Sequence, residues 1–112
     1  VLPAKNRLRT SKDFAQTIKT GVRATSLSLV VYLHTSPDLK SPRVGLIVNK
    51  SIGGSVTRHR VSRQLRHLVA PLIESLPKNS KLVIRVLRTN EDFGTELKDL
   101  VSKVINKVPV SA

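Results

Sequence analysis

RVGLIVNKSIGGSVTRHRVSRQLRHLV, residues 43–69, carries two different hydrophobic periods on either side of a glycine pair. In the first part, 43–50, Val44, Leu46 and Val48 fall on one side of an extended chain, with Gly45, Ile47 and Asn49 on the other. That is the two-residue period of a strand. Gly53 and Gly54 break it, and beyond them the period becomes helical. At about 100° per residue, Val61, Leu65, Leu68, Val69 and Leu72 fall within an arc of about 100°, the width of a stripe facing a core. Ser55 or Thr57 is suited to cap this helix, and Pro71 should kink or end it. The stretch therefore predicts a strand, a break and a long amphipathic helix.

Opposite the apolar stripe, His59, Arg60, Arg63, Arg66 and His67 fill a second arc of about 120° by the same projection. Arg58 projects onto the apolar side and is expected at a frayed first turn. A solvated helix face normally mixes signs so that i,i+4 pairs form. Here no acid occurs from Leu39 to Ile73, while Lys40, Arg43, Lys50, Arg58, Arg60, Arg63 and Arg66 accumulate. Folding must bear their repulsion. Guanidinium forks bind phosphate oxygens bidentately, so phosphate binding explains this arginine-rich face better than solvation does.

The whole chain repeats the theme. Its 112 residues carry a formal charge of +13, and such an excess favours polyanions through counterion release. Residues 1–73 hold 13 Lys or Arg against two acids, and residues 74–112 hold seven against five, so the charge belongs to the first two thirds. Membrane-binding basic helices expose Trp, Phe or Leu, and this chain has no Trp, so nucleic acid is the preferred polyanion. With no cysteine there is no disulfide, thiolate metal site or cysteine nucleophile, which fits a cytoplasmic setting. No apolar run approaches the roughly 20 residues of a membrane span. VLPAKNRLRT turns basic without the apolar block of a signal peptide.

Outward from the central stretch, a first helix follows Thr10, with Asp13 three residues on as in a capping box and Gly21 as its stop. Phe14 and Ile18 lie one turn apart on it. LSLVVYLH, 27–34, predicts a strand with Leu27, Leu29, Val31 and Leu33 on one face and Val30 and Tyr32 on the other. TSPDLKSP, 35–42, is turn-rich, and the strands it joins are expected to be antiparallel neighbours. KLVIRVL, 81–87, predicts another strand, with Leu82, Ile84 and Val86 buried and Val83 and Arg85 opposite. A last helix from about Asp92 repeats apolar residues at 97, 100, 101, 104, 105 and 108. The expectation is a single domain over 1–112, α+β, in the order α-β-β-(β)-α-β-α, with helices covering one face of a small, mainly antiparallel sheet.

Protein-borne catalysis finds little support. Hydrolytic centres need converging acids, a metal cage or a nucleophile with its base. Glu74, Glu91, Asp92, Glu96 and Asp99 fall on helices or their caps, where helix solvation is their expected role. His34, His59 and His67 lack the i,i+4 spacing of a helical metal pair. Neither catalytic residues nor a protein metal site are expected. Of the three aromatics, Phe93 belongs in the core; Tyr32 could stack an unpaired base, and for Phe14 packing and stacking stand even.

RVGLIVNKSIGGSVTRHRVSRQLR resembles the signature of the bacterial ribonuclease P protein subunit, approximately R-V-G-x-x-V-S-K-K-x-G-x-A-V-x-R-N-R-x-x-R. The resemblance extends upstream through NRLRTSKDFAQTIKTG and, more weakly, to KLVIRVLR and the last helix. It implies an RNA-binding α+β domain whose strand–helix–strand unit, 43–87, makes a left-handed crossover, against the general rule. It also implies two RNA partners. The catalytic RNA subunit would be met by Lys50, Arg58, His59, Arg60, Arg63 and Arg66. The single-stranded 5′ leader of precursor tRNA would lie in a cleft formed by Phe14, Ile18, Tyr32, Ile47 and Asn49. The RNA subunit would carry out the Mg²⁺-dependent endonucleolytic hydrolysis, with no Mg²⁺ held tightly by the protein, no membrane and no obligate protein partner. His59 stands where the family usually has Asn, Ser51 and Ser62 where Lys is common, Gly54 often where Asn is, and Ile18 where many members have a second aromatic. The alternatives are a structural ribosomal or architectural RNA-binding protein without a role in cleavage, and a nuclease in its own right.

Overall fold

The computed structural model describes residues 4–107. Their elements are α1 (Ser11–Thr20), β1 (Val22–Thr25), β2 (Leu29–Thr35), β3 (Arg43–Ile47), α2 (Ser55–Val69), β4 (Ser80–Val86) and α3 (Phe93–Lys107), with short 3-10 turns at Ala4–Asn6, Lys50–Ile52 and Ala70–Ser75. The order is α-β-β-β-α-β-α, so the additional short strand is β1, joined to β2 by a hairpin.

The four strands lie in the order β1-β2-β4-β3. β2 pairs antiparallel with β1 and β4, whereas β3 pairs parallel with β4. β2 and β3 thus run in opposite directions, but they are not neighbours, because β4 lies between them. The reason is visible in β4 itself. Leu82, Val83 and Ile84 are each fully buried, a continuous apolar run that both faces of a central strand require. β3 and β4 are parallel and need a crossover, which α2 and the turn after it supply.

Both sheet faces are apolar, and helices cover both, not one. Leu29, Val31, Leu33, Leu82, Ile84 and Val86 meet α2 through Val61, Leu65 and Val69 and α3 through Leu97, Leu100, Val101 and Val104. On the opposite face Val30, Tyr32 and Val83 meet Leu8 and the half-buried Phe14, Ile18 and Ile47. Two-residue alternation in β2 supplies both layers. Leu27 does not join the first row; it is 69% exposed because β2 starts at Leu29 and residues 26–28 form the hairpin turn, closed by Ser26 N–H to Leu29 C=O at 2.9 Å. Val108, the last position of the apolar repeat, lies outside the described residues.

Local signals set the helix ends. The Thr10 hydroxyl accepts the Asp13 N–H at 3.2 Å to cap α1, and Gly21 ends it. At α2 neither Ser55 nor Thr57 caps: Gly54 is the N-cap and no side-chain cap bond forms. Gly53 makes the entry possible with φ +151°, where a Cβ would also lie 3.0 Å from Thr57 Cβ. α2 stops before Pro71, which falls in the following 3-10 turn. The Asp92 carboxylate accepts the Thr95 N–H at 3.2 Å at the start of α3.

Glu96 does more than solvate its helix. It accepts hydrogen bonds from the Ser26 hydroxyl, the Ser28 N–H at 2.8 Å and the Asn90 amide at 2.7 Å. One carboxylate therefore ties α3 to the β1–β2 turn and to the loop before α3. Burial raises its pKa, but these bonds outweigh burial and hold the carboxyl below the ordinary glutamate value of 4.5.

Candidate nucleic-acid interface

α2 is anchored by Val61, Leu65 and Val69, each no more than 2% exposed, which turns His59, Arg60, Arg63, Arg66 and His67 to solvent. None of Arg58, Arg60, Arg63 and Arg66 is ion-paired within the described residues. With no acid on the helix itself, the face is a cationic ridge. Lys50 is exposed in the turn that precedes α2.

Arg58 is not frayed. Its N–H donates to Gly54 C=O at 2.9 Å, and the half-buried side chain lies with Leu46 and Val48 in a hollow shared with His59 and Ser62. Its Nε is buried without a hydrogen-bond partner. The apolar projection of Arg58 thus reflects its place at the margin of the core, where the stem lies against apolar surface.

The basic face is split. Arg60, Arg63, Gln64 and His67 line a hollow of about 610 Å³ with Thr89, Asn90 and Glu91 of the loop before α3. Arg66 projects to the other side, where it lines a hollow of about 290 Å³ with Arg7, Arg9, Phe14, Gly45 and Leu46. Arg7 and Arg9 were not among the sequence-derived candidates. Their signal was the alternation in RLR: Leu8 is buried against the α1-side layer and its N–H donates to Val44 C=O at 2.9 Å, so the flanking arginines point away from that layer.

Of the five expected cleft residues, the structure brings Phe14, Ile18, Tyr32 and Ile47 into one apolar cluster beside α1. Asn49 is exposed beyond the end of β3 and outside that cluster. Tyr32 is 6% exposed, paired across the sheet with Arg23 and Val83 and covered by α1. Tyr32 therefore offers no open stacking face, and half-buried Phe14 and Ile18 lie nearer the surface. Phe14 lies directly over Gly45: a Cβ there would come within 2.4 Å of its ring.

Beyond the apolar cluster, register places His34, Lys81 and Arg43 side by side across β2, β4 and β3. Lys81 is 6% exposed and donates to Asp13 Oδ1 at 3.1 Å and Gln16 Oε1 at 2.9 Å of α1. A buried ammonium needs such partners, and these bonds tie α1 to the sheet. The Thr10 hydroxyl first, and then Lys81, hold the Asp13 carboxyl below its usual range. His34, near the Thr20 hydroxyl at 3.2 Å, is pushed below the ordinary imidazole value by burial and then by the Lys81 charge. Among the described residues no three His, Cys, Asp or Glu side chains converge as a metal site would require, and no helix is long and apolar enough to cross a membrane.

Fold and surface together define a small α+β protein with a polycationic helix beside an aromatic-edged groove. The Ribonuclease P family model matches residues 2–108. A ribonuclease P protein component from Mycobacterium sp. (strain KMS) is 46% identical over 118 residues and covers 100% of both chains; that of Mycobacteroides abscessus is 47% identical over 93 residues, covering 78% of this chain and 73% of its own. The Staphylococcus aureus RNase P protein structure superposes with a TM-score of 0.76 at 21% identity, covering 90% of this chain and 98% of its own. The Thermotoga maritima RNase P protein superposes at 0.67 and 18% identity, covering 92% and 97%. The chain belongs to the ribonuclease P protein family, and its role is that of a ribonuclease P subunit.

Proposed function

We propose that this chain binds the catalytic RNA of ribonuclease P and the single-stranded 5′ leader of precursor tRNA, and so assists endonucleolytic release of the mature tRNA 5′ end. The observation that carries the reading is the run of arginines on α2, without ion-pair partners among the described residues, within an acid-free stretch. Such a face concentrates positive potential where phosphates approach and releases counterions as they bind. Lys50, Arg58, His59, Arg60, Arg63 and Arg66 are the proposed contacts for folded RNA. Phe14, Ile18 and Ile47, with Tyr32 beneath and Asn49 at the strand end, are the proposed leader groove, where half-buried apolar side chains accept bases without reading their edges.

The hydrolysis itself is assigned to the RNA subunit, which uses Mg²⁺. No tightly held Mg²⁺ is proposed for the protein, whose Asp13 serves Lys81, Glu96 the β1–β2 turn and Asp92 the start of α3. The proposed setting is cytoplasmic, without a membrane or an obligate protein partner.

Reconstitution tests the proposal. Cleavage of precursor tRNA by a cognate ribonuclease P RNA at low Mg²⁺ should require this chain, and the complex should bind precursor tRNA more tightly than mature tRNA. Unchanged cleavage on adding the chain would refute the proposal. Stimulation with no preference for leader-bearing substrate would reduce it to architectural RNA binding. Cleavage by RNA-free protein would transfer the chemistry to the protein.

A further inference from the structure

The two flanks of α2 differ in chemistry as well as direction. On one, Arg60, Arg63 and His67 face a hollow that includes the carboxylate of Glu91. On the other, Arg66 faces a smaller hollow with Arg7 and Arg9 and no acid, and its remaining wall is Leu8, Phe14, Val44, Gly45 and Leu46. By helical projection residue 66 lies at the far end of the basic arc, about 120° from 60 and about 100° from 67, and the structure turns it to the other flank. Phe14 belongs at once to the Arg66 hollow and to the apolar cluster of the proposed leader groove.

We propose that Arg66, with Arg9 and Arg7, forms a phosphate seat for the single-stranded substrate RNA and not for the RNA subunit. The inference rests on the leader-groove reading and moves Arg66 of α2 from the RNA-subunit contacts to the substrate side. A strand crossing the Phe14 edge presents its next phosphodiester to a guanidinium cluster, whose forks suit paired phosphate oxygens. Alternation of apolar surface and cation is what sequence-tolerant single-strand binding uses. Because one rigid helix bears both flanks, docking of the RNA subunit against Arg60 and Arg63 sets the position of the seat. α2 then becomes a bridge between two RNAs.

The test compares Arg66→Ala with Arg63→Ala in the reconstituted complex, measuring assembly with the RNA subunit and binding of precursor and mature tRNA. Arg66→Ala should weaken leader-bearing precursor tRNA on the order of tenfold, the size of a single charge-assisted hydrogen bond. It should leave mature tRNA and assembly within about twofold, and lower the salt slope for precursor binding by about 0.7. Arg66→Lys should restore only part of the affinity, since the charge returns without the fork. Arg63→Ala should weaken assembly instead. Equal loss of assembly in the two variants, or equal loss for precursor and mature tRNA in Arg66→Ala, would overturn the proposal. If the unsubstituted complex prefers leader-bearing tRNA and Arg66→Ala preserves that preference in full, this inference fails while the groove reading stands. Absence of the preference in the unsubstituted complex would sink both.

Discussion

Gly45→Ala probes the packing that joins the groove to the fold. A Cβ at 45 would meet the Phe14 ring at 2.4 and 2.5 Å and Leu8 Cβ at 3.1 Å. Leu8 cannot withdraw readily, because its N–H is bonded to Val44 C=O, so the ring must move. Phe14 sits on α1, which Lys81 ties to the sheet through Asp13 and Gln16, so ring displacement strains the helix docking as well. Overpacking of this kind costs about 1–3 kcal/mol. The loss of glycine's freedom in the unfolded chain returns about 0.4–1 kcal/mol. The net destabilisation should be about 1–2 kcal/mol, a fall in Tm of roughly 4–16 °C for a domain near 100 residues. Urea unfolding followed by circular dichroism measures it, and a double-mutant cycle with Phe14→Leu identifies the cause. If the ring is the obstacle, the smaller side chain should relieve Gly45→Ala by about 1 kcal/mol. Additivity within about 0.5 kcal/mol, or a stabilising Gly45→Ala, would refute the close packing of Phe14 on Gly45.

Removal of the Glu96 clamp by Glu96→Ala should cost about 1–3 kcal/mol, because the Ser28 N–H and Asn90 amide lose their acceptor, as read from urea midpoints. The Glu96 carboxyl is held below 4.5, so its contribution is complete above that value and lost as pH falls through the folded pKa; Glu96→Gln should flatten this part of the acid limb, and an unchanged limb would contradict the clamp. His34 is held below 6.5, so the unfolded chain takes up protons first: stability is complete above 6.5 and falls with pH below it, and His34→Gln should lessen the difference between urea midpoints at about pH 7.5 and 5.5. Leu65→Ala, at a fully buried position, should cost about 2–5 kcal/mol in the same assay. Arg60→Ala with Arg63→Ala should lower the salt slope of RNA-subunit binding by about 0.7–0.9 for each phosphate no longer neutralised, and an unaltered slope would exclude direct phosphate binding by this pair.

Residues whose neighbours lie close in sequence declared their structure plainly. Thr10 and Asp13 announced the start of α1, Pro71 the end of α2, and the Val61–Leu65–Val69 stripe the buried face, because each signal acts within one or two helical turns. The position of β4 was harder to see. Alternation in KLVIRVL named Leu82, Ile84 and Val86 as the buried side, but Val83 is equally buried, and only that uninterrupted run marks a central strand. Sequence adjacency then argued for pairing β2 with β3, and the crossover through α2 outweighed it. The site divided in the same way. The helical period found the cationic side of α2, yet its division between two flanks depends on Phe14, Arg7 and Arg9, more than 40 positions away. Tyr32 was legible as facing away from the Leu29 row, but its cover by α1 is a tertiary fact. Glu96 was expected only to solvate its helix and Lys81 gave no signal at all, because the partners of both come from other elements.

The central place of β4 has a consequence for synthesis. When residue 79 has been added, the chain already contains the edge strands and all of α2, but the strand that joins β2 to β3 is still missing. Only the β1–β2 hairpin can pair, and an isolated two-stranded hairpin is marginal in water. During that interval the nascent chain carries nearly all of the protein's excess positive charge with no sheet to organise it. Closing the sheet then requires pairing Leu33 with Leu82 across 49 residues, a non-local step of the slower kind. The protein is thus born as a flexible polycation and becomes a shaped one only when its last strand enters the middle.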